Sequence, residues 1–470
     1  MGINEIRLRN FRGFKDASLP LKPLTVLLGP NSAGKSAFGH ALASMAHAHK
    51  VYASTPQASL TPPPGQSDHW PTDLGGTSDL RTRGAEGPVR VGLLTSGGWV
   101  ELGFGGLPHT DELILSEVVF PSEEQSTPTA VPTQASVAPT RVPANDVVPL
   151  DRIVPGIDAA IRLRKVNEVQ WKDGEHDASV YFSGLIVGAV THATGSARVV
   201  STVATKDLKA FLDSITYLRA NRKRPSRRYS IRESRWQHMG YSGECTAAVL
   251  SARGSERVSF QVPPAIPATV EEARVIKDPW SLKQDTLGGA LSTWLTHCKL
   301  ASNVEAAVLE ASKDEVGLRV RLDADATHDI TEVGFGVSQI TPVLVAGLLQ
   351  QPGGVFIVDL PEAHLHPRPQ ANIADFFCSL ALSGTSVLVE THSEMFFHRL
   401  RLRAAMSPAL LDHIAVYFLD EPKDGVCSVP RRVGLRVEDE IRWPRGFMQE
   451  AWETEAQISA VREGGRTPPA

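Results

Sequence analysis

Cysteine is scarce in this 470-residue chain: Cys245, Cys298, Cys378 and Cys427 lie far apart, with no Cys-x-x-Cys pair. That excludes a disulfide framework or a cysteine zinc site and fits a reducing compartment. No stretch approaches the ~20 unbroken apolar residues that a membrane span needs. The start runs into Arg7, Arg9, Arg12 and Lys15 with no apolar signal core, and Ile6 stands where myristoylation uses Ser or Thr. A cytoplasmic protein without membrane contact is expected. Net charge of one sign is also lacking: 48 Lys and Arg against 52 Asp and Glu give -4, so any nucleic-acid surface must be local. Neither an internal repeat nor a heptad run long enough for a coiled-coil arm is present.

What is there suits a large folded core. Hydrophobic residues make up 42% and charged residues 21% of the chain, and on a prior of about 150 residues per domain the length allows two to four compact units. Apolar runs at Val26-Leu27-Leu28, Val355 to Val358 and Ser386 to Val389 read as buried strands. Helical segments read at 37–49, 337–350 and 369–382, so strands alternate with helices as in an α/β sheet. Val89 to Leu93 and Trp99 to Leu102 read as an antiparallel pair. Segments 52–70 and 121–149, rich in Pro, Ser, Thr and Ala, are expected to be surface excursions. The organisation expected is an N-terminal lobe at 1–120, the excursion at 121–149, an inserted β and helical region at 150–330, a C-terminal lobe at 331–400 and an extension at 401–470.

The most specific signal is Gly29-Pro30-Asn31-Ser32-Ala33-Gly34-Lys35-Ser36, which satisfies the phosphate-loop spacing between an apolar strand and a helix. Glycines let backbone N–H groups turn inward around phosphate oxygens, and the helix N-terminus adds positive potential. Lys35 would reach the β and γ phosphates of ATP, and Ser36 would ligate Mg²⁺. Asp359 ends a strand, as a second Mg²⁺ carboxylate should, and Glu362 is the candidate to polarise the attacking water. His392, after a third strand, is a candidate γ-phosphate sensor. Gly336-Val337-Ser338-Gln339 opens a helix at about 338, with Ser338 as a candidate N-cap and Pro342 within the tolerated first turn; such a start is a second anion site. His364 and His366 lack a nearby third ligand, which favours a structural role over zinc. Phe418 to Pro422 imitates a strand-end carboxylate motif, but the following Lys423-Asp424-Gly425 is hairpin chemistry.

Taken together, Phe11-Arg12-Gly13-Phe14, the phosphate loop, Val333 to Gln339, Pro361 to Pro367 and Glu390 to Ser393 resemble the RecF/SMC/OLD-like branch of ABC-type ATPases. Trp443 to Phe447 resembles the C-terminal element of a standalone prokaryotic AAA subgroup similar to the ATPase subunit of Septu-type antiphage systems. The resemblance implies an ABC-type P-loop head with a β-rich lobe, an inserted helical region and a small C-terminal α/β extension. It also implies a homodimer, alone or within a higher oligomer, in which ATP is sandwiched between Gly29 to Ser36 of one copy and Gly336 to Gln339 of the other. A separate effector such as a nuclease would be the controlled partner, in antiphage defence or DNA metabolism. Two features depart from the pattern. The position directly after Asp359 is Leu360, so either Glu362 is the base or hydrolysis is very slow. Asp79 falls where a loop coupling nucleotide to partner is expected, but no Gln stands there.

The basic run from Arg219 to Arg235 has two readings: a phosphate-binding patch for DNA, or a structural element, since Tyr217-Leu218-Arg219-Ala220-Asn221-Arg222 resembles a recurrent segment of this family close to the nucleotide core in which arginines pair internally. Arg224, Arg227 and Arg228 are the nucleic-acid candidates. Two further classes of function stand beside the switch: a self-sufficient OLD-like nuclease and a RecF-like repair clamp without effector. The carboxylates after His392 form no convincing strand-end metal cluster.

Overall fold

In the computed structural model the described residues are 2–51, 59–61, 70–72, 74, 77–106, 113–119, 160–162, 168–173, 176–183, 185–192, 197–199, 203–231, 239–267, 280–309, 312–322, 326–436 and 457. The 121–149 excursion and the Trp443 to Phe447 element lie outside them.

Five parallel strands form the centre: β3 (Leu24–Leu28), β12 (Ile215–Leu218), β19 (Val355–Asp359), β20 (Ser386–Glu390) and β21 (Ile414–Phe418), in the order β12-β19-β20-β3-β21, with β22 (Arg431–Val433) antiparallel at the edge. Every residue of β3, β19, β20 and β21 is buried, as expected of parallel strands covered on both faces. The period-2 alternation divides their side chains between two cores. Leu24, Val26, Phe356, Val358, Val387 and Val389 point to one core with Trp294, Phe376, Phe377 and Phe396. Leu27, Val355, Ile357 and Leu388 point to the other, with Phe38, Leu42 and Met45.

The second core is closed by α1 (Lys35–Val51), α3 (Val203–Ser214) and a mostly antiparallel lobe, β2-β1-β4-β5-β6-β7, where β1 is Ile3–Phe11, β2 Phe14–Pro20, β4 Val89–Thr95, β5 Gly98–Gly106, β6 Leu113–Val119 and β7 Ala160–Arg162. The short helix α2 (Thr77–Leu80) lies between α1 and β4 and carries Asp79, which is exposed. Strands β8 (Glu168–Asp173), β9 (His176–Ser183), β10 (Ile186–His192) and β11 (Ala197–Val199) make a separate antiparallel sheet. The first core is closed by α4 (Thr246–Arg253), α5 (Leu287–His297), α6 (Phe335–Leu348), α7 (Pro367–Leu382) and α8 (Glu394–Met406). Two small sheets complete that side: β13 (Tyr229–Ser230) with β16 (Asn303–Leu309), β17 (Ser312–Arg321) and β18 (Thr327–Asp329), and the pair β14 (Arg257–Val262) and β15 (Ser281–Thr286).

The architecture is thus one parallel sheet, an antiparallel β-rich lobe on one face and a helical layer on the other. Residues 414–418, from the stretch read as a C-terminal extension, join the central sheet directly beside β3. Among the described residues no helix is long and apolar enough to cross a membrane.

Two expectations need correction. The 52–70 stretch is not wholly a surface excursion: Leu60 and Trp70 are buried, Leu60 N–H donates to Leu113 O at 2.7 Å, and the Trp70 ring packs on His47 at 4.3 Å. These two apolar side chains anchor a stretch whose average composition is polar. The second correction concerns the helix carrying Gly336 to Gln339, which begins at Phe335 with Gly334 as N-cap, not at Ser338. Ser338 lies inside the helix and its hydroxyl donates to Phe335 O at 2.7 Å. Pro342 consequently sits beyond the first turn, inside the helix.

Candidate functional site

Parallel α/β sheets present ligand sites at the carboxyl ends of their strands, and here β19, β20 and β3 are neighbours there. The phosphate loop leaves β3 at Gly29, whose φ of 148° only glycine adopts readily; a Cβ there would lie 2.3 Å from the Leu419 carbonyl oxygen that follows β21. The loop re-enters α1 through Gly34, φ 90°, where a Cβ would lie 2.8 Å from the Phe14 ring. Phe14 belongs to the Phe11-Arg12-Gly13-Phe14 turn, a two-residue hairpin with positive φ at Arg12 and Gly13. That turn therefore braces the loop, with Phe14 also against Phe38 at 5.3 Å. Pro30 and Gly34 are half-buried, Asn31 and Ser32 are exposed at the loop's tip, and Ala33 is buried.

Lys35 is only 3% exposed; its Nζ donates to Pro30 O at 2.6 Å and stands 4.0 Å from Glu390 Oε1. Burial holds its pKa below the ordinary value, against the pull of Glu390 and Glu362. Asp359 ends β19 in register with Glu390 at the end of β20. Its Oδ2 accepts from the Tyr217 hydroxyl at 2.5 Å and faces His40 Nε2 at 3.2 Å. His40 Nδ1 meets Arg12 Nη1 at 3.0 Å. Arginine can only donate, so Nδ1 accepts and Nε2–H is the donor to Asp359. Arg12 of the bracing turn is thereby tied through His40 to the carboxylate.

After Asp359 the chain reverses sharply, with Leu360 at φ 44° and its N–H on Glu390 O at 2.8 Å. This reversal brings Glu362 back into the site. Its Oε1 accepts the His392 backbone N–H at 2.7 Å, while Oε2 is buried with no protein partner. Burial pushes the Glu362 carboxyl up, and the His392 N–H bond is the main offset. His392 Nδ1 lies 3.0 Å from Gly29 O. A carbonyl only accepts, so Nδ1 carries the proton and neutral His392 presents its Nε2 lone pair. Burial, then Lys35, lowers its pKa.

Sequence reading gives no role to Glu390 or His40; it places the Tyr217 to Arg222 segment near the nucleotide core, and the structure shows which of its residues reach the site. Arg222 is 4% exposed; its guanidinium donates to the backbone carbonyls of Asp359 at 2.8 Å and Leu360 at 3.3 Å, holding the reversal in place. Burial takes it down to about 10, so it stays charged. The rest of the basic candidates are apart from the site. Arg224 is exposed, while Arg227 pairs with Glu332 at 3.1 Å and Arg228 with Glu315 at 3.6 Å, both on the surface. Val337, Ser338 and Gln339 are buried, Gly336 is half-buried, and the exposed part of that helix start is Gly334 and Phe335. His364 stacks edge-on against Phe335 at 4.9 Å, and His366 is the N-cap residue of α7.

A nucleotide with magnesium fits these groups. The loop and Lys35 suit phosphate, Ser36 and Asp359 suit the cation, and two bare buried carboxylate oxygens, on Glu362 and Glu390, wait for a positive or hydrogen-donating partner.

Residues 1–66 match a family model described as "AAA ATPase domain", and residues 305–397 match one described as "AAA domain, putative AbiEii toxin, Type IV TA system". No curated protein matches the chain. Solved structures with a similar course include the SMC head domain from Thermotoga maritima, at 10% identity and TM-score 0.34 over 92% of this chain and 100% of that one. Another is the Smc head domain with an extended coiled coil, bound to the C-terminal domain of ScpA, from Pyrococcus furiosus, at 10% identity and TM-score 0.40 over 97% and 99%. Likenesses this loose carry no function to this chain. The first AAA match holds Gly29 to Ser36, and the second holds Asp359, Glu362 and His392, which meet that loop in the fold, together with Gly336 to Gln339.

Proposed function

We propose that the chain binds ATP with magnesium at the carboxyl ends of β3, β19 and β20 and hydrolyses it to ADP and phosphate, two copies closing on the nucleotide to control a separate effector. The observation that carries this reading is Glu362: a buried carboxylate with one oxygen fixed by His392 N–H and the other bare, beside a phosphate loop. In this reading Gly29 to Ser36 wraps the phosphates, and Lys35 exchanges Pro30 O for a phosphate oxygen. Ser36 and Asp359 would hold the magnesium, which when bound would offset phosphate charge. Glu362 Oε2 takes a proton from water as the water oxygen bonds to the γ-phosphorus; the bond from that phosphorus to the bridging oxygen breaks, and its electron pair leaves on ADP. His392 Nε2 accepts the second water hydrogen and orients the nucleophile.

Closure by a second copy is supported by the exposed helix start at Gly334 and Phe335, whose end of the helix favours anions. Because Val337, Ser338 and Gln339 face inward, that contact would use backbone N–H groups and Phe335. The match of residues 305–397 to a family that includes a type IV toxin–antitoxin component supports an effector such as a nuclease, in defence or DNA metabolism.

The test is magnesium-dependent ATP hydrolysis by the purified chain, with and without DNA, beside Lys35→Ala and Glu362→Gln, with molar mass followed by light scattering. Turnover lost in both variants, and a doubled mass for Glu362→Gln with ATP, is expected. DNA cleavage by the chain alone would favour the self-sufficient nuclease; hydrolysis surviving Glu362→Gln would remove Glu362 as base.

A further inference from the structure

One carboxylate of the site has no part in the reaction just described. Glu390 ends β20 beside Asp359 and is 7% exposed. The nearby Ser36 hydroxyl favours its anion, its Oε1 stands 4.0 Å from Lys35 Nζ, and its Oε2 is buried without any protein partner. We propose that Glu390 is a further residue of the magnesium site, its Oε2 meeting the metal or a metal-bound water while its carboxylate orients the Ser36 hydroxyl. This rests on the reading of the site as one for ATP with magnesium.

Charge balance is the main reason. Without nucleotide, Lys35 is the cation nearest to Glu390, and Asp359 is the anion beside it. Once Lys35 turns to phosphate, Glu390 and Asp359 are left side by side, facing an incoming polyanion. Burying an unpaired charge is costly, and a divalent cation beside Ser36 is what restores neutrality. Magnesium is commonly held by one or two carboxylates plus substrate phosphates, which matches Asp359 and Glu390.

Oxygen availability points the same way. Asp359 Oδ2 is taken by Tyr217 and His40, and its other oxygen lies toward Gly39, where a Cβ would be 3.5 Å away. Glu390 Oε2 is free. A Ser36 hydroxyl turned toward Glu390 would keep its lone pairs for a cation, so one carboxylate would both supply an oxygen and aim Ser36.

The experiment measures binding of a fluorescent ATP analogue to the full chain in chelator and along a magnesium titration, with Mn²⁺ binding followed by electron paramagnetic resonance. Glu390→Gln is expected to bind the metal-free analogue at least as tightly as the wild type and to raise the metal concentration for half-saturation tenfold or more, with Mn²⁺ retention falling in step. Glu390→Asp, which keeps the charge but withdraws it by one methylene, is expected to fall between, and it serves if the Gln variant does not fold. Unchanged metal dependence in both variants overturns the proposal while leaving the site reading intact. A wild-type chain whose analogue binding ignores metal overturns both.

Discussion

Replacing Glu390 by Gln should remove a fall in stability that the wild-type chain suffers as pH rises. The carboxyl ionises at about 7 in the fold against an ordinary 4.5, because burial penalises the anion and Asp359 repels it; the Ser36 hydroxyl, Lys35 and His40 offset only part. At about 1.4 kcal/mol per tenfold, the fold disfavours the ionised form by about 3 kcal/mol, a value belonging jointly to the Glu390 and Asp359 pair. Below pH 4.5 both folded and unfolded chains hold the proton and there is no penalty. Between 4.5 and 7 the unfolded chain releases it first, so stability declines; above 7 the whole penalty is present. Glu390→Gln has no such proton. Urea unfolding in chelator, followed by tryptophan fluorescence at pH 5, 6, 7 and 8, should show wild type losing about 3 kcal/mol relative to the variant across this range. Magnesium with ATP should narrow that difference at pH 8. Parallel pH curves for the two proteins would refute the picture of a buried, crowded Glu390.

Glu362→Gln should lower ATP turnover by about 10²- to 10⁴-fold, the usual contribution of a general base, while analogue binding persists; equal loss of both would assign Glu362 to folding. Asp375 is fully buried and its two oxygens accept from Arg403 at 2.7 and 2.9 Å, joining α7 to α8. Asp375→Ala strands a buried guanidinium and should cost about 3–5 kcal/mol in urea unfolding; a loss below about 1 kcal/mol would show that water reaches Arg403. Neutralising Arg224, Arg227 and Arg228 together should leave the melting temperature nearly unchanged, because exposed pairs contribute about 0–1 kcal/mol. If the patch binds DNA, the same variant elutes from a DNA column at lower salt and with a flatter salt slope; unchanged elution assigns the three arginines to the surface alone.

Much of the site was legible because it is local in sequence. Strand, glycine loop and helix are consecutive at Leu24 to Val51, and Asp359 and Glu362 share one short stretch with a strand before it. The individual supporting contacts were not legible because they arrive through the fold: Tyr217 meets Asp359 across 142 residues and His40 meets it across 319. Arg222 looks like its neighbours in a basic run, yet β12 carries it beneath the Asp359 turn while Arg224 emerges to solvent. Glu390 had a readable signal, a charged residue closing an otherwise apolar strand, but its meaning depends on lying opposite Asp359 in register. The helix at Phe335 was set three residues late because Ser338 has the better capping side chain, whereas Gly334 supplies the cap by backbone alone.

Under the proposed function, these supporting contacts would let a chain with Leu360 directly after Asp359 still present Glu362 as a base. A carboxylate directly after Asp359 would sit at the φ of 44° where the chain reverses. The reversal, held by Arg222 on two carbonyls and by Leu360 N–H on Glu390 O, moves the next carboxylate two residues on and lays it against the His392 backbone. The same turn keeps Asp359 and Glu390 paired at the strand ends. In the proposed reading, base and cation ligands would thus be separated by one backbone device, with Glu362 on the His392 side and the other two carboxylates on the Ser36 side. Loosening Arg222 would disturb both sides together, so the two functions of the site share a single structural support.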